Sequence, residues 1–352
     1  MLKPLVLAAS LAAVPALAQN GNAVSRNDAP DAETFEALLQ RHDVPGLSYA
    51  ELRNCNVVAT RTSGMANIAE GRTVDDTTLF EAASLSKPVF AWIVMDLERS
   101  GVIDLDRPFA DFGFDWPRIE DKERYARLTP RLVLTHRTGL PNWSGDSLNP
   151  ARTDLLEFRF DPDTEHSYSG EAIQLLQRFV EHMTGKSLGV LLRERLGATM
   201  PHSSFSHDYA NGTTTSRGYA KASTPSEGDR DMMPVGHVEL AAASLATTAA
   251  DFAAFMGMHC RGEGLPLASY AEMLRPQTPE RTTDEGLPIT WGLGWSLVTI
   301  EGRKFVMHTG NNGEYRAFAG FYPDTGEGLV LLTNGRQGTA LINDFLGLAD
   351  AS

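Results

Sequence analysis

Leu79-Phe80-Glu81-Ala82-Ala83-Ser84-Leu85-Ser86-Lys87-Pro88 is the stretch on which the reading of this chain turns. A strand pattern ends at Ser84, and a strongly helical one runs from Lys87 to Arg99 until Gly101 stops it. Residues three apart share a helix face, so a serine at the helix start has the Lys87 ammonium beside it one turn on. That matters because a serine hydroxyl is a poor nucleophile at neutral pH without a base in hydrogen-bond reach. A desolvated lysine loses its preference for the charged form and can take that role. The helix N-terminus also favours negative charge on Ser84 and on an oxyanion nearby. Ser-x-x-Lys is a weak pattern by itself, and the ordinary alternative for Ser84 is a helix N-cap. Context strengthens it: of the six lysines, only Lys87 has Ser three places earlier.

Outward from this stretch the chain falls into three parts. Before it lie an amphipathic helix pattern over Asp31–His42, with Phe35, Leu38 and Leu39 on one face, and two strand patterns, Leu47–Leu52 and Val57–Ser63, joined by Asn54-Cys55-Asn56. From about residue 100 to 285 strand patterns are scarce. Helices are expected at Pro130–Thr135, Glu171–Thr184, Leu188–Leu196, Ala249–His259 and Tyr270–Leu274, between loops rich in Pro, Gly, Asp and Ser. Strands return at Gly294–Ile300, Lys304–His308, Arg316–Tyr322 and Gly328–Asn334, and Ala340–Ala349 reads as a closing helix. The expected fold is α/β (α+β): one antiparallel sheet assembled from both chain ends and covered by helices, with an inserted, mostly helical lobe. The expected division is residues 19–84 plus 285–352 for the sheet domain and 85–284 for the lobe.

Residues 1–18 have the order of a secretory signal peptide: Lys3, an apolar stretch to Pro15, then Ala16-Leu17-Ala18 as a cleavage site. The alternative is a buried N-terminal helix. The reading implies a periplasmic or secreted protein with no stable membrane anchor. A net charge of −14 gives no general attraction to nucleic acid or anionic lipid. Cys55 and Cys260 are the only cysteines. Export permits a disulfide, but at this separation the expectation is two buried free thiols.

Two further stretches carry chemistry. Tyr168-Ser169 precedes a helix, where a phenol beside cationic groups can be held as phenolate or shuttle a proton; the alternative is a tyrosine packed under a loop. His308-Thr309-Gly310 ends a strand, where imidazole and hydroxyl can bind a substrate carboxylate or carbonyl. Gly310 there lets the chain pass close to a ligand, and the N–H of Asn311 can join that of Ser84 as an oxyanion hole. The alternative is a plain strand end with His308 on the surface.

Ser84-x-x-Lys87, Tyr168-Ser169 and His308-Thr309-Gly310, in this order, resemble the serine β-lactamase and penicillin-binding superfamily, and within it the branch of class C β-lactamases, soluble DD-peptidases and family VIII esterases. Pro45-Gly46-Leu47, Phe80–Pro88, Leu134-Thr135-His136-Arg137-Thr138-Gly139-Leu140-Pro141, Trp291–Trp295 and Gly320–Asp324 resemble its framework. The resemblance implies an acyl-enzyme mechanism without a cofactor or metal. In it Ser84 attacks a carbonyl, Lys87 and Tyr168 manage the proton, and the N–H groups of Ser84 and Asn311 hold the oxyanion. His308 and Thr309 then contact the carboxylate side of a small-molecule or peptide substrate. Two departures stand out. The second motif usually reads Tyr-x-Asn, its Asn amide touching the acyl side chain and Lys87; here it reads Tyr168-Ser169-Gly170. The third usually begins with Lys and here begins with His308. A partly charged histidine would bind carboxylate less well as pH rises, and His308→Lys would flatten that dependence. Both departures favour an ester or a small D-amino acid-type amide over a β-lactam or an ordinary peptide.

Other chemistries are set aside. Thr184-Gly185-Lys186-Ser187 lacks the earlier glycine of a phosphate-binding loop and reads as a helix–turn–helix joint. No H-E-x-x-H occurs, and His136, His166 and His182 lack metal-ligand spacing. Trp291 and Trp295 are equally suited to a cleft wall or to sheet packing. The competing function is a non-catalytic descendant that binds peptidoglycan fragments or a protein partner.

Overall fold

The structure is a computed structural model that describes residues 32–145, 153–206, 213–226, 229–232, 238–283 and 286–347. The leader expected at 1–18 lies outside the described residues. The strands are β1 (Gly46–Arg53), β2 (Asn56–Asn67), β3 (Arg72–Thr73), β4 (Thr78–Ala83), β5 (Thr214–Thr215), β6 (Arg217–Gly218), β7 (Arg230–Asp231), β8 (Leu245–Thr247), β9 (Arg281–Thr282), β10 (Pro288–Trp291), β11 (Ser296–Ile300), β12 (Arg303–Asn312), β13 (Tyr315–Tyr322) and β14 (Glu327–Thr333). The main helices are α1 (Ala32–His42), α2 (Ser86–Arg99), α3 (Gly170–Thr184), α4 (Leu188–Leu196), α5 (Ala249–Arg261) and α6 (Gly338–Leu346).

Nine strands form one antiparallel sheet in the order β3-β2-β1-β14-β13-β12-β11-β10-β9. The chain ends meet at its centre, where β1 pairs β14 with Leu47 opposite Thr333. Both faces are covered, and the period-2 alternation of a strand sorts the side chains between them. Leu329 and Leu331 join α1 and α6 on one face through Phe35, Leu38, Leu341 and Phe345. Val330 and Leu332 belong to the larger core on the other face, which also holds α2 and α5. Two-sided burial explains why β14 reads as a near-continuous apolar run.

Between the sheet ends, α2 is buried from Ser86 through Leu97. Gly185, left-handed at φ 66°, closes α3, and the Ser187 side chain caps α4, which is the expected helix–turn–helix joint. The short strands β4, β5 and β8 make a second sheet beside α2. β10 was not anticipated: Pro288 masks its start, and only Ile289 among its residues is buried.

The expectation for the cysteines is overturned: Cys55 and Cys260 are disulfide-bonded, with Cα atoms 6.0 Å apart. Asn54 and Cys55 both take positive φ, forming a tight β1–β2 turn. Helix α5 packs along β1, β2 and β14, so its last turn ends at that hairpin. A separation of 205 residues hid a neighbourhood made by helix-on-sheet packing. Cys55→Ser with Cys260→Ser is expected to lower unfolding free energy by about 2–5 kcal/mol, read from the urea midpoint without reductant. Unchanged midpoints would show that the bridge constrains nothing.

Candidate active site

Strand β4 meets α2 in a turn built to present one side chain. Ala83 takes a left-handed φ of 51°, a conformation non-glycine residues avoid. From Thr78 to Leu97 every residue is buried except Ser84. Ser86 Oγ donates to the Ala83 carbonyl at 2.5 Å and accepts from the Leu245 N–H at 3.0 Å, pinning the turn to β8. The Ser84 side chain does not cap the helix. Lys87 Nζ lies 3.1 Å from Ser84 Oγ, and Tyr168 lines the same cleft as both, its ring beside the Lys87 amine. The three residues expected to converge therefore do.

The Lys87 amine also donates to the Ala242 carbonyl at 2.7 Å and sits 4.6 Å from the centre of the Tyr168 ring. Its burial brings its pKa down to about 7 from 10.5, because removing an ammonium from water disfavours the charged form. Burial acts oppositely on Tyr168, raising its phenol above the ordinary value. Tyr168 is therefore a neutral phenol at neutral pH, which removes the phenolate alternative.

His136 holds the Tyr168 segment in place. Its backbone, at φ 55°, accepts from the Ser167 N–H at 2.9 Å, and its Nδ1 accepts from the Ser169 N–H at 3.2 Å. Its ring lies 4.3 Å from that of Tyr168 and 4.9 Å from that of Trp291. Ser169 caps α3 through the Ala172 N–H and donates to the Pro141 carbonyl. In the sequence His136 reads as framework, and nothing local to it announces a partner 33 residues away. His136, His166 and His308 surround Tyr168, yet among the described residues no group of three His, Cys, Asp or Glu is arranged to hold a metal ion.

His308 is buried rather than on the surface. Its Nδ1 lies 2.8 Å from the Thr309 carbonyl. A carbonyl only accepts, so Nδ1 carries the proton and Nε2 is left as a lone pair. Among the described residues that buried Nε2 has no hydrogen-bond partner. Burial, with the Lys87 charge second, lowers the His308 pKa to about 3. The expectation of a partly charged imidazole at neutral pH is therefore corrected: His308 is neutral, and the third motif offers no charge to a carboxylate. Between pH 5 and 8 it loses no charge. His308→Lys is instead expected to shift the acid limb of the pH–rate profile to lower pH, because a second ammonium would further depress Lys87. A limb that stays in place would overturn the coupling between the two positions.

Strand β11 pairs β12 only as far as Met307, and β4 approaches the uncovered edge beyond it. A Cβ on Gly310 would lie 2.4 Å from the Ala82 carbonyl oxygen and 3.1 Å from the Ala83 Cβ. Gly310 is needed for this close approach to the protein's own backbone, whatever room it also leaves in the cleft. Ser84, Thr309, Gly310 and Asn311 consequently line one cleft. The two tryptophans divide: Trp291 lines this cleft, whereas Trp295 is fully buried and donates to His259 Nε2.

A half-buried ionic clamp braces the same junction. Arg230 makes a bidentate pair with Glu81 of β4 at 2.7 and 2.8 Å, and donates to the Asn312 carbonyl at 2.7 Å. Asn312 Nδ2 donates to Glu81 Oε2 and to the Ala243 carbonyl, next to the acceptor of Lys87. Bidentate charge-assisted pairs fix geometry as well as energy. The partners come from three distant stretches, so no spacing rule exposes them.

Comparison with known proteins agrees with this fold. The Beta-lactamase family model matches residues 32–351. Penicillin-binding protein 4 of Amycolatopsis lactamdurans is 28% identical over 344 residues, spanning 89% of this chain and 87% of that protein. Esterase EstB of Burkholderia gladioli is 30% identical over 110 residues, 31% of this chain and 28% of that one. Among solved structures, the octameric penicillin-binding protein homologue from Pyrococcus abyssi superposes with a TM-score of 0.73 at 19% identity, covering 90% of this chain and 76% of that one. A class C beta-lactamase gives 0.72 at 18% identity, covering 95% and 97%. With its nine-stranded sheet, the Ser84–Lys87–Tyr168 cluster and a family match across nearly the whole described chain, this protein belongs to the Beta-lactamase family.

Proposed function

We propose that the protein is a serine hydrolase that cleaves an ester or a small D-amino acid-type amide through an acyl-enzyme on Ser84. The observation that carries this reading is the 3.1 Å contact between Ser84 Oγ and a buried amine whose pKa has fallen to about 7. At neutral pH a large fraction of Lys87 is then free to accept the Ser84 proton as the hydroxyl attacks the substrate carbonyl. The N–H groups of Ser84 and Asn311 hold the oxyanion of the tetrahedral intermediate. Tyr168, a neutral phenol beside Lys87, relays a proton to the leaving group. Water then attacks the acyl group, with Lys87 as base again. His308, neutral and with a bare Nε2, accepts a hydrogen bond from the substrate and does not anchor a carboxylate. This supports a neutral ester or amide over a β-lactam bearing a carboxylate.

Export to the periplasm or outside the cell is part of the proposal. The leader-like residues 1–18 support it, as does the Cys55–Cys260 disulfide, since such bonds persist in oxidising compartments. Among the described residues no helix is long and apolar enough to cross a membrane.

The test is covalent labelling. A fluorophosphonate probe is expected to label the wild type and not Ser84→Ala, in parallel with hydrolysis of p-nitrophenyl butyrate. Equal labelling of both proteins would remove Ser84 from the chemistry. Absence of labelling and of hydrolysis in the wild type would favour the non-catalytic binding module.

A further inference from the structure

The missing motif asparagine leaves a question at position 170, and the packing around it supplies an answer. A Cβ on Gly170 would lie 2.7 Å from both Cη2 and Cζ2 of Trp143 and 2.9 Å from the Asn142 carbonyl oxygen. An asparagine there is sterically excluded while Trp143 keeps its place. Gly170 opens α3 without needing a left-handed backbone; space, not φ, demands the glycine. Its N–H donates to Asn142 Oδ1 at 3.0 Å. Because Oδ1 is thereby fixed as the acceptor, the other end of the Asn142 carboxamide is a donor. Among the described residues no protein group accepts from that Nδ2. Asn142 lines the cleft with Ser84, Lys87 and Tyr168.

The segment carrying Asn142 is held rigidly. The Pro141 carbonyl accepts from Ser169 Oγ at 2.7 Å, and the Asn142 carbonyl from the Glu171 N–H at 3.0 Å. The Ser144 N–H donates to Glu171 Oε1 at 2.9 Å, and buried Glu171 is paired with Arg118 at 2.7 Å. These bonds tie residues 141–144 to the first turn of α3, two residues after Tyr168. A donor held this way loses little freedom when it binds. Trp143, 37% exposed, stands beside it as a flat apolar wall.

We propose that Asn142 supplies the amide donor that position 170 lacks, and that Trp143 forms the wall of the acyl subsite. Preferred substrates are then acyl donors with an amide carbonyl close to the scissile bond and an aromatic or apolar group beyond it. The inference rests on the reading of Ser84 as nucleophile. It adds a specificity-determining residue that no motif contains.

The test compares two p-nitrophenyl esters of equal length, one of phenylacetylglycine and one of 5-phenylpentanoic acid, which lacks the internal amide. In the wild type kcat/KM for the first is expected to exceed that for the second by about tenfold, the worth of one well-placed neutral hydrogen bond. Asn142→Asp keeps an acceptor for the Gly170 N–H but replaces the donor with an oxygen, so it preserves the anchoring. In both Asn142→Asp and Asn142→Ala the ratio is expected to fall to near one. Trp143→Ala is expected to lower both aryl esters several-fold relative to p-nitrophenyl acetate. A wild-type ratio near one overturns the inference, as does a ratio that Asn142→Asp leaves intact. Loss of both esters in equal proportion overturns it too, since that is the mark of a purely structural role. If the wild type hydrolyses no ester and takes no fluorophosphonate label, the nucleophile reading and this inference fall together. Labelling and turnover with an unmoved ratio remove this inference alone.

Discussion

Lys87→Met lowers kcat/KM for p-nitrophenyl esters by roughly 10⁴-fold, and adding Ser84→Ala to it lowers the value little further. The two residues act on one proton, so either loss removes the same step and the effects do not add. The pH profile carries the sign. Only the neutral amine accepts a proton, so wild-type kcat/KM rises through pH about 7 and then levels. The residual rate of Lys87→Met lacks that limb. The variant's stability changes in the opposite sense to its activity. In the unfolded chain Lys87 titrates near its ordinary 10.5, but in the folded chain near 7. Between those values the unfolded state holds a proton that the folded state lacks, so stability rises with pH across this window. Below it the folded protein bears the full cost of a buried ammonium, on the order of several kcal/mol. Lys87→Met removes that cost and also loses hydrogen bonds to Ser84 and Ala242. Its Tm is therefore expected to exceed that of the wild type at pH 6, with the gap narrowing toward pH 10. A wild-type rate flat from pH 6 to 8, or a variant within tenfold of wild type, would sink the assignment of Lys87 as base.

What could be read from the sequence was local, and what could not was made by chain-distant packing. Ser84 and Lys87 are one helical turn apart, so the helical period alone brings them together. The central sheet was legible because β1, β13 and β14 alternate sides between two cores, and because short turns fix antiparallel neighbours. Gly310 was visible as a glycine at a strand end, but its reason, contact with the Ala82 carbonyl, belongs to another strand 228 residues earlier in the chain. The protonation of His308 was misjudged because charge follows burial and the Lys87 field, neither of which a motif encodes. Glu81 and Arg230 lie 149 residues apart, and Cys55 and Cys260 lie 205 apart. Gly170 looked like a lost contact; beside Trp143 it is a steric requirement.

Gly310→Ala is expected to cost roughly 10²–10³-fold in kcat, the size of losing one oxyanion donor, while KM for simple esters changes far less. The added Cβ would lie 2.4 Å from the Ala82 carbonyl oxygen, 3.0 Å from the Ala317 Cβ and 3.1 Å from the Ala83 Cβ. None of these is the flexible end of a side chain. Ala82 and Ala83 belong to β4, which is fixed by its pairing with β8 and by the Glu81–Arg230 clamp. Ala317 belongs to β13, paired on both sides. Relief therefore comes from β12 moving away from β4 along its uncovered edge. That motion separates Asn311 from Ser84 and widens the gap between their N–H groups. The Ser84–Lys87 contact lies within α2 and its entry turn, so the nucleophile keeps its base. The expected signature is a variant with the wild-type pH limb near 7 and a uniformly lower plateau. Tetrahedral phosphonate inhibitors, which place an anionic oxygen in the hole, should lose affinity in proportion to kcat. Loss of the pH limb would instead show that the base had been disturbed. An unchanged kcat in a folded Gly310→Ala protein would mean that the approach of β12 to β4 does not set the oxyanion geometry.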